Sequence, residues 1–128
     1  MDNCRFCERA NSGDFDFANN DAVAFRDTYP LSPGHTLVIP RLHAADLFEL
    51  DPAVRAAVWQ LVDTVQSHLA QTLVPDGFNI GLNAGPAAGQ TIPHAHVHVI
   101  PRTAGDVADP RGGVRWVIPD KAPYWEQS

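Results

Sequence analysis

From His94 to Val99 the chain alternates imidazoles with small apolar side chains, setting His94, His96 and His98 against Ala95, Val97 and Val99. Successive side chains of an extended strand point to opposite faces, so the pattern predicts a strand with three imidazoles in one row and three apolar groups turned into a core. The rise of a strand puts alternate residues roughly 6.5–7 Å apart, near enough for neighbouring rings to work on one phosphate-sized group. Such a strand needs partner strands beside it, a layer over its apolar side and open space over its polar side.

The rest of the chain supplies these parts. Val54, Ala57, Val58, Leu61, Val62, Val65 and Leu69 recur at three- and four-residue spacing, which predicts an amphipathic helix to about Leu73, with Asp51 as N-cap and Pro52 at its first position. Asp14 to Asn19 and Ala22 to Arg26, split by the turn residues Asn19, Asn20 and Asp21, read as a hairpin. His35 to Pro40 is rich in β-branched residues, with His35 at its entrance, and Phe78 to Asn83 alternates; both read as strands. Arg41 to Leu50 reads as a short helix or irregular turn, and Gly112 to Pro119 as a strand-like tail carrying Trp116. Trp59 and His68 lie off or at the edge of the helix stripe and read as surface or interface residues. Five strands with one long and one short helix, not in regular βαβ order, make an α+β fold with a largely antiparallel sheet. With 128 residues and 45% hydrophobic content the chain reads as a single domain, 1–128, its tail beginning at about residue 103.

Fifteen acidic against nine basic residues give a formal charge of −6, which argues against nucleic acid as a partner and requires any anionic ligand to be held locally. No apolar run has the length of a membrane span, and the opening Met-Asp-Asn-Cys-Arg-Phe-Cys has no apolar signal core, so a cytoplasmic protein without a membrane partner is expected.

Cys4 and Cys7 form a Cys-x-x-Cys pair, whose spacing suits a tetrahedral zinc site if two further ligands come from elsewhere. A thioredoxin-like redox pair is disfavoured, because no strand precedes the motif and no helix clearly follows it. Ahead of the histidines, Gly85 and Gly89 let backbone N–H groups approach an anion closely, while Gln90, Thr91 and Asn83 add neutral donors. Donors of this kind stabilise charge on a phosphate oxygen without a basic surface. On residue types alone, the histidine row suits either a metal ion or nucleophilic and acid–base chemistry.

Gly-Gln-Thr-Ile-Pro-His-Ala-His-Val-His-Val-Ile-Pro-Arg, residues 89–102, resembles the signature of the histidine triad family, and Pro33-Gly34-His35-Thr-Leu-Val-Ile-Pro40 resembles that family's Pro-Gly-His strand. The resemblance runs from Cys4 to about Trp116. It implies a five-stranded antiparallel sheet with two helices, a homodimer, and hydrolysis or transfer of a nucleotidyl group. By this resemblance His96 is the nucleophile on the α-phosphate, His98 and Gln90 bind the phosphate oxygens, and Thr91, Asn83 and Gly89 assist. His35 orients the row and joins the catalytic set, and Asp27 contacts the ribose. An ordinary imidazole is largely unprotonated at neutral pH, as a nucleophile must be. Zinc-containing bacterial members use four ligands that match Cys4, Cys7, His43 and His94, so a structural zinc is expected, and no organic cofactor.

The loop Gly-Pro-Ala-Ala-Gly-Gln-Thr is closer to the fragile-histidine-triad type, which cleaves dinucleoside polyphosphates, so a diadenosine polyphosphate is the expected substrate. The Cys pair and Pro93 depart from that subgroup. Alternatives are a purine nucleoside phosphoramidase, a non-catalytic nucleotide-binding zinc module, and a hydrolase whose histidine row holds a catalytic metal. The tail from Gly112 to Trp125 either reaches a partner's active site or folds on its own subunit.

Overall fold

The computed structural model describes residues 3–127. Its frame is one antiparallel sheet of five strands, β1 (Phe17–Ala18), β2 (Ala22–Arg26), β3 (Thr36–Pro40), β4 (Gly77–Leu82) and β5 (Val97–Arg102), in the spatial order β1-β2-β3-β5-β4. Helix α1 (Arg5–Ser12) lies on one face and the long helix α2 (Pro52–Leu73) on the other.

Alternation along each strand sorts the two layers. Ala22, Ala24, Val38, Val97 and Val99 turn toward α2, where Val58, Leu61, Val62, Val65 and Leu69 meet them in the main core. Val23, Phe25, Leu37 and Ile39 turn the other way and pack on Phe6 and Ala10 of α1. His35 and His98 belong to this second face. It has only one short helix to cover it, so part of it stays open as a cleft.

The connection into β3 depends on one glycine. Gly34 has φ +92°, and a Cβ there would stand 2.5 Å from Leu73 Cδ1, 3.2 Å from Pro101 Cγ and 3.3 Å from Leu69 Cδ2. Left-handed backbone and overpacking then act together, so Gly34→Ala is expected to cost about 2–4 kcal/mol, lowering Tm by roughly 10 °C. Thermal unfolding by circular dichroism checks this; an unchanged Tm would contradict the packing described.

Four local expectations change. A helix does follow the cysteine pair: Cys4 is the N-cap of α1, its sulfur accepting from Cys7 N–H. The strand containing the histidine row starts only at Val97, leaving His94 and His96 in the irregular approach to β5. Gly112 to Pro119 is no strand; it forms 3-10 turns at Gly113–Val117 and Pro119–Lys121, because Gly112 and Gly113 take positive φ, 93° and 47°, and no strand among the described residues pairs with it. That tail folds on its own residues, with Trp116 Nε1 donating to the Arg111 carbonyl and the Arg111 guanidinium over the Trp125 ring. Asp51 does precede α2, but its side chain makes no capping bond, and Pro52 alone marks the start.

Candidate active site

The approach to β5 separates the histidines. His94 Nε2 donates to the Pro40 carbonyl at 2.8 Å, so its Nδ1 carries the lone pair, and that atom lies 3.4 Å from Cys4 Sγ and 3.5 Å from Cys7 Sγ. His43 Nδ1 is 3.3 Å from Cys7 Sγ. The four donor atoms all lie within 4.8 Å of one another. Two sulfurs and two unblocked imidazole nitrogens at this spacing form a soft donor set of the kind that takes zinc, and the Pro40 bond orients a ligand ring as an outer-shell partner does. Burial, reinforced by Cys4, pushes the Cys7 thiol up to about 11, so a metal must displace its proton on binding. The three imidazoles of the row therefore do not converge on one ion; His94 belongs to a different cluster.

His96 and His98 stay together, ring centroids 5.2 Å apart. His96 Nδ1 donates to the His94 carbonyl at 2.9 Å, which leaves the lone pair on Nε2. Phe6 of α1 stands edge-on to both His94 and His96, with centroids 5.8 and 5.3 Å away.

A second hydrogen-bond chain sets the tautomer of His98. Leu31 N–H donates to His35 Nδ1 at 3.0 Å, so the proton of His35 must sit on Nε2. His35 Nε2–H donates to His98 Nδ1 at 2.9 Å, and the Asp27 carboxylate lies 3.4 Å from His35 Nε2. His98 Nδ1 is consequently an acceptor, and its Nε2–H is left as a donor. A lone pair on His96 and an N–H on His98 line one cleft, so the pair offers a nucleophile beside a group able to hold an anionic oxygen.

Burial, and the positive charge that His96 and His35 would carry, hold His98 down at about 4. His35 is lowered by burial, partly offset by Asp27. Both folded values lie below the unfolded one, so between pH 6.5 and about 4 the unfolded chain binds more protons and stability falls as pH falls. Urea unfolding at pH 7, 6 and 5 should give a free energy that declines on acidification, more shallowly in His98→Asn; identical slopes would contradict a buried neutral His98.

The cleft, about 500 Å³, is also lined by Asp27, Asn83, Gly89 and Thr91. Two expected phosphate contacts are differently engaged. Gln90 turns into its own loop, its oxygen accepting from Gly85 N–H and its amide donating to the Ala45 and Ile92 carbonyls. Gly89 N–H bonds the Pro86 carbonyl within the same loop. His35 lies behind His98 rather than on the cleft wall. Phe6, Arg9, Phe25, Tyr29 and Leu37 also line it, residues the sequence reading did not select. The only sequence signals for them were Phe6 between the two cysteines and Phe25 two places before Asp27 on an alternating strand.

The family model described as "HIT domain" matches residues 9–105. The chain is 39% identical over 109 residues to the adenylylsulfatase HINT3 of Arabidopsis thaliana, covering 83% of this chain and 55% of that protein. It is 38% identical over 88 residues to the asymmetrical bis(5'-nucleosyl)-tetraphosphatase of Schizosaccharomyces pombe, covering 69% of this chain and 48% of that one. The chain thus spans about half the length of these two relatives. A crystal structure of a Zn-bound histidine triad family protein from Mycobacterium smegmatis superposes with a TM-score of 0.73 at 35% identity, over 84% of this chain and 80% of that chain.

Proposed function

The chain belongs to the HIT domain family, and on that premise we propose that it is a nucleotidyl hydrolase that cleaves a phosphoanhydride at the α-phosphate of a purine dinucleoside polyphosphate, diadenosine polyphosphate being the first substrate to test. The observation that carries the reading is the His96 Nδ1 bond to the His94 carbonyl, since it leaves Nε2 unprotonated and able to attack. In the first step the Nε2 lone pair forms a bond to phosphorus and the bond to the leaving phosphate oxygen breaks, giving a nucleotidyl-histidine. His98 Nε2–H and Thr91 would hold the non-bridging oxygens as charge builds on them. Thr91 N–H has no backbone partner among the described residues, which fits that use. Water then attacks phosphorus, His96 leaves, and a nucleoside monophosphate is released. Asp27, fixed by accepting the Tyr29 N–H at 2.9 Å, would meet the ribose hydroxyls.

Cys4, Cys7, His43 and His94 would hold a structural zinc, which supplies a cross-link between α1, the segment after β3 and the approach to β5. The unblocked Nδ1 of His94 and the zinc of the Mycobacterium smegmatis relative support this. The protein is further proposed to work as a homodimer in the cytoplasm. Support for the dimer is the position of β4 at the edge of the sheet with Ile80 37% exposed; light scattering that finds a monomer at assay concentration would end that part. No helix among the described residues is long and apolar enough to cross a membrane.

Leaving group is tested by turnover of three adenylyl compounds, a diadenosine polyphosphate, adenylyl sulfate and an adenosine phosphoramidate. The proposal expects kcat/KM to be at least tenfold higher for the first than for the third. A preference for the phosphoramidate would replace it with a phosphoramidase, and tight nucleotide binding without turnover of any of them would make the protein a binding module.

A further inference from the structure

Across the cleft the sheet runs from His98 on β5 to its register partner Leu37 on β3 and on to Phe25 on β2. Phe6 bridges His96 and Phe25, with ring centroids 5.3 and 5.4 Å away. A ring-lined wall that ends on Phe25 thus extends from the histidines and suits a nucleobase. Arg9 interrupts that lining. Its guanidinium carbon lies 4.1 Å from the centroid of the buried Phe25 ring, and its Nε donates to the Asp14 carbonyl at 3.2 Å and lies 3.3 Å from the Asp14 carboxylate. One edge of the fork is occupied by these bonds. Its two Nη groups make no hydrogen bond among the described residues.

The fork is also held in place. The backbone of Arg9 takes the closing bond of α1, its carbonyl accepting from the left-handed cap Gly13, and the other end of the helix carries Cys4 and Cys7. Ring, carboxylate and helix cap together fix the orientation of a side chain that otherwise has many rotamers.

We infer that Arg9 makes the ring-lined end of the cleft a reader of 6-oxopurines, so that the site takes a guanine nucleotide in preference to an adenine nucleotide. The inference rests on reading the cleft as a nucleotide site and concerns the base alone: a diadenosine polyphosphate is still cleaved at the same bond, and its guanine counterpart binds more tightly. A 6-oxopurine offers two acceptors, O6 and N7, along one edge, and these match the two donors of a guanidinium fork; a 6-aminopurine sets an N–H donor beside N7 and opposes one of them. Glu8 and Asp14 line the same rim. Their carboxylates suit the N1–H and 2-amino donors of guanine, whereas adenine has an acceptor at N1.

Titration calorimetry of the full chain with GMP, IMP and AMP tests this in wild type, Arg9→Met and Arg9→Lys, each checked for folding by circular dichroism. Wild type should bind GMP about tenfold or more tightly than AMP. IMP, which keeps O6 and N7 but lacks the 2-amino group, should follow GMP. Arg9→Met should bring the GMP to AMP ratio to about 1–2, and Arg9→Lys, which keeps the charge without the fork, should lose most of the preference. Equal binding of GMP and AMP by wild type, a preference that survives in Arg9→Met, or IMP behaving like AMP would each overturn the assignment to Arg9 while leaving the nucleotide site standing. If no nucleotide bound at all, the reading of the cleft would fall with it.

Discussion

His96→Ala is expected to lower turnover of a dinucleoside polyphosphate by about four orders of magnitude or more, because it removes the atom that bonds to phosphorus rather than one that assists it. The neighbouring groups cannot take over. His98 Nδ1 is spent on the bond from His35 and its Nε2 carries a proton, and His94 has one nitrogen on the Pro40 carbonyl and the other among the cysteines. Nucleotide affinity should change by only a few-fold, since Asp27, Thr91 and the ring-lined end of the cleft are untouched. Steady-state kinetics with product binding measured alongside separates the two effects. Residual turnover above about one per cent of wild type would mean that a different group, or water directly, attacks the phosphate.

Loss of one cysteine should produce the largest change in stability. Cys7→Ser is expected to abolish metal binding, lower Tm by about 10 °C or more and weaken nucleotide binding. The third effect follows from the position of α1. The helix carries Cys7 in its first turn, and the same few residues supply Phe6, packed against His96, and Arg9, stacked on Phe25. Without the cross-link only Phe6 and Ala10 bury α1 on the sheet, too little apolar surface to hold two turns of helix firmly. Metal analysis of protein purified without chelator should find about one zinc per wild-type chain and almost none in Cys7→Ser. Less than half a zinc per chain in wild type, or an unchanged Tm in the variant, would remove zinc from the account.

The elements that sequence alone made legible are those with enough residues to display a period. The 22 residues of α2 repeat their apolar positions through six turns, and β2, β3 and β4 carry alternating or β-branched runs between turn residues. Helix α1 was not legible because its eight residues bury only Phe6 and Ala10, a single i, i+4 pair. The tail misleads because Val114, Trp116, Val117 and Ile118 favour a strand, while two positive-φ glycines and the lack of a partner strand decide otherwise. Within the site, alternation correctly put Ala95, Val97 and Val99 in the core but could not reveal that the chain bends before β5 and turns His94 toward the cysteines. Nor could it reveal the tautomers, which depend on the Leu31 N–H and the His94 and Pro40 carbonyls, backbone groups that carry no side-chain signature. The arginine at the base end was hidden for the same reason: only the packing of α1 on β2 brings Arg9 over Phe25.

The central claim is that His96 Nε2 becomes covalently bonded to phosphorus during turnover. Intact-mass analysis of wild type and His96→Ala, acid-sensitive linkages being kept by quenching into mild base after brief mixing with a diadenosine polyphosphate, tests it directly. The account predicts an increment of one nucleotidyl group on wild type, lost again on longer incubation as nucleoside monophosphate appears, and no increment on the variant. Rapid turnover by wild type with no adduct at any mixing time, or an adduct of the same mass on His96→Ala, would contradict it.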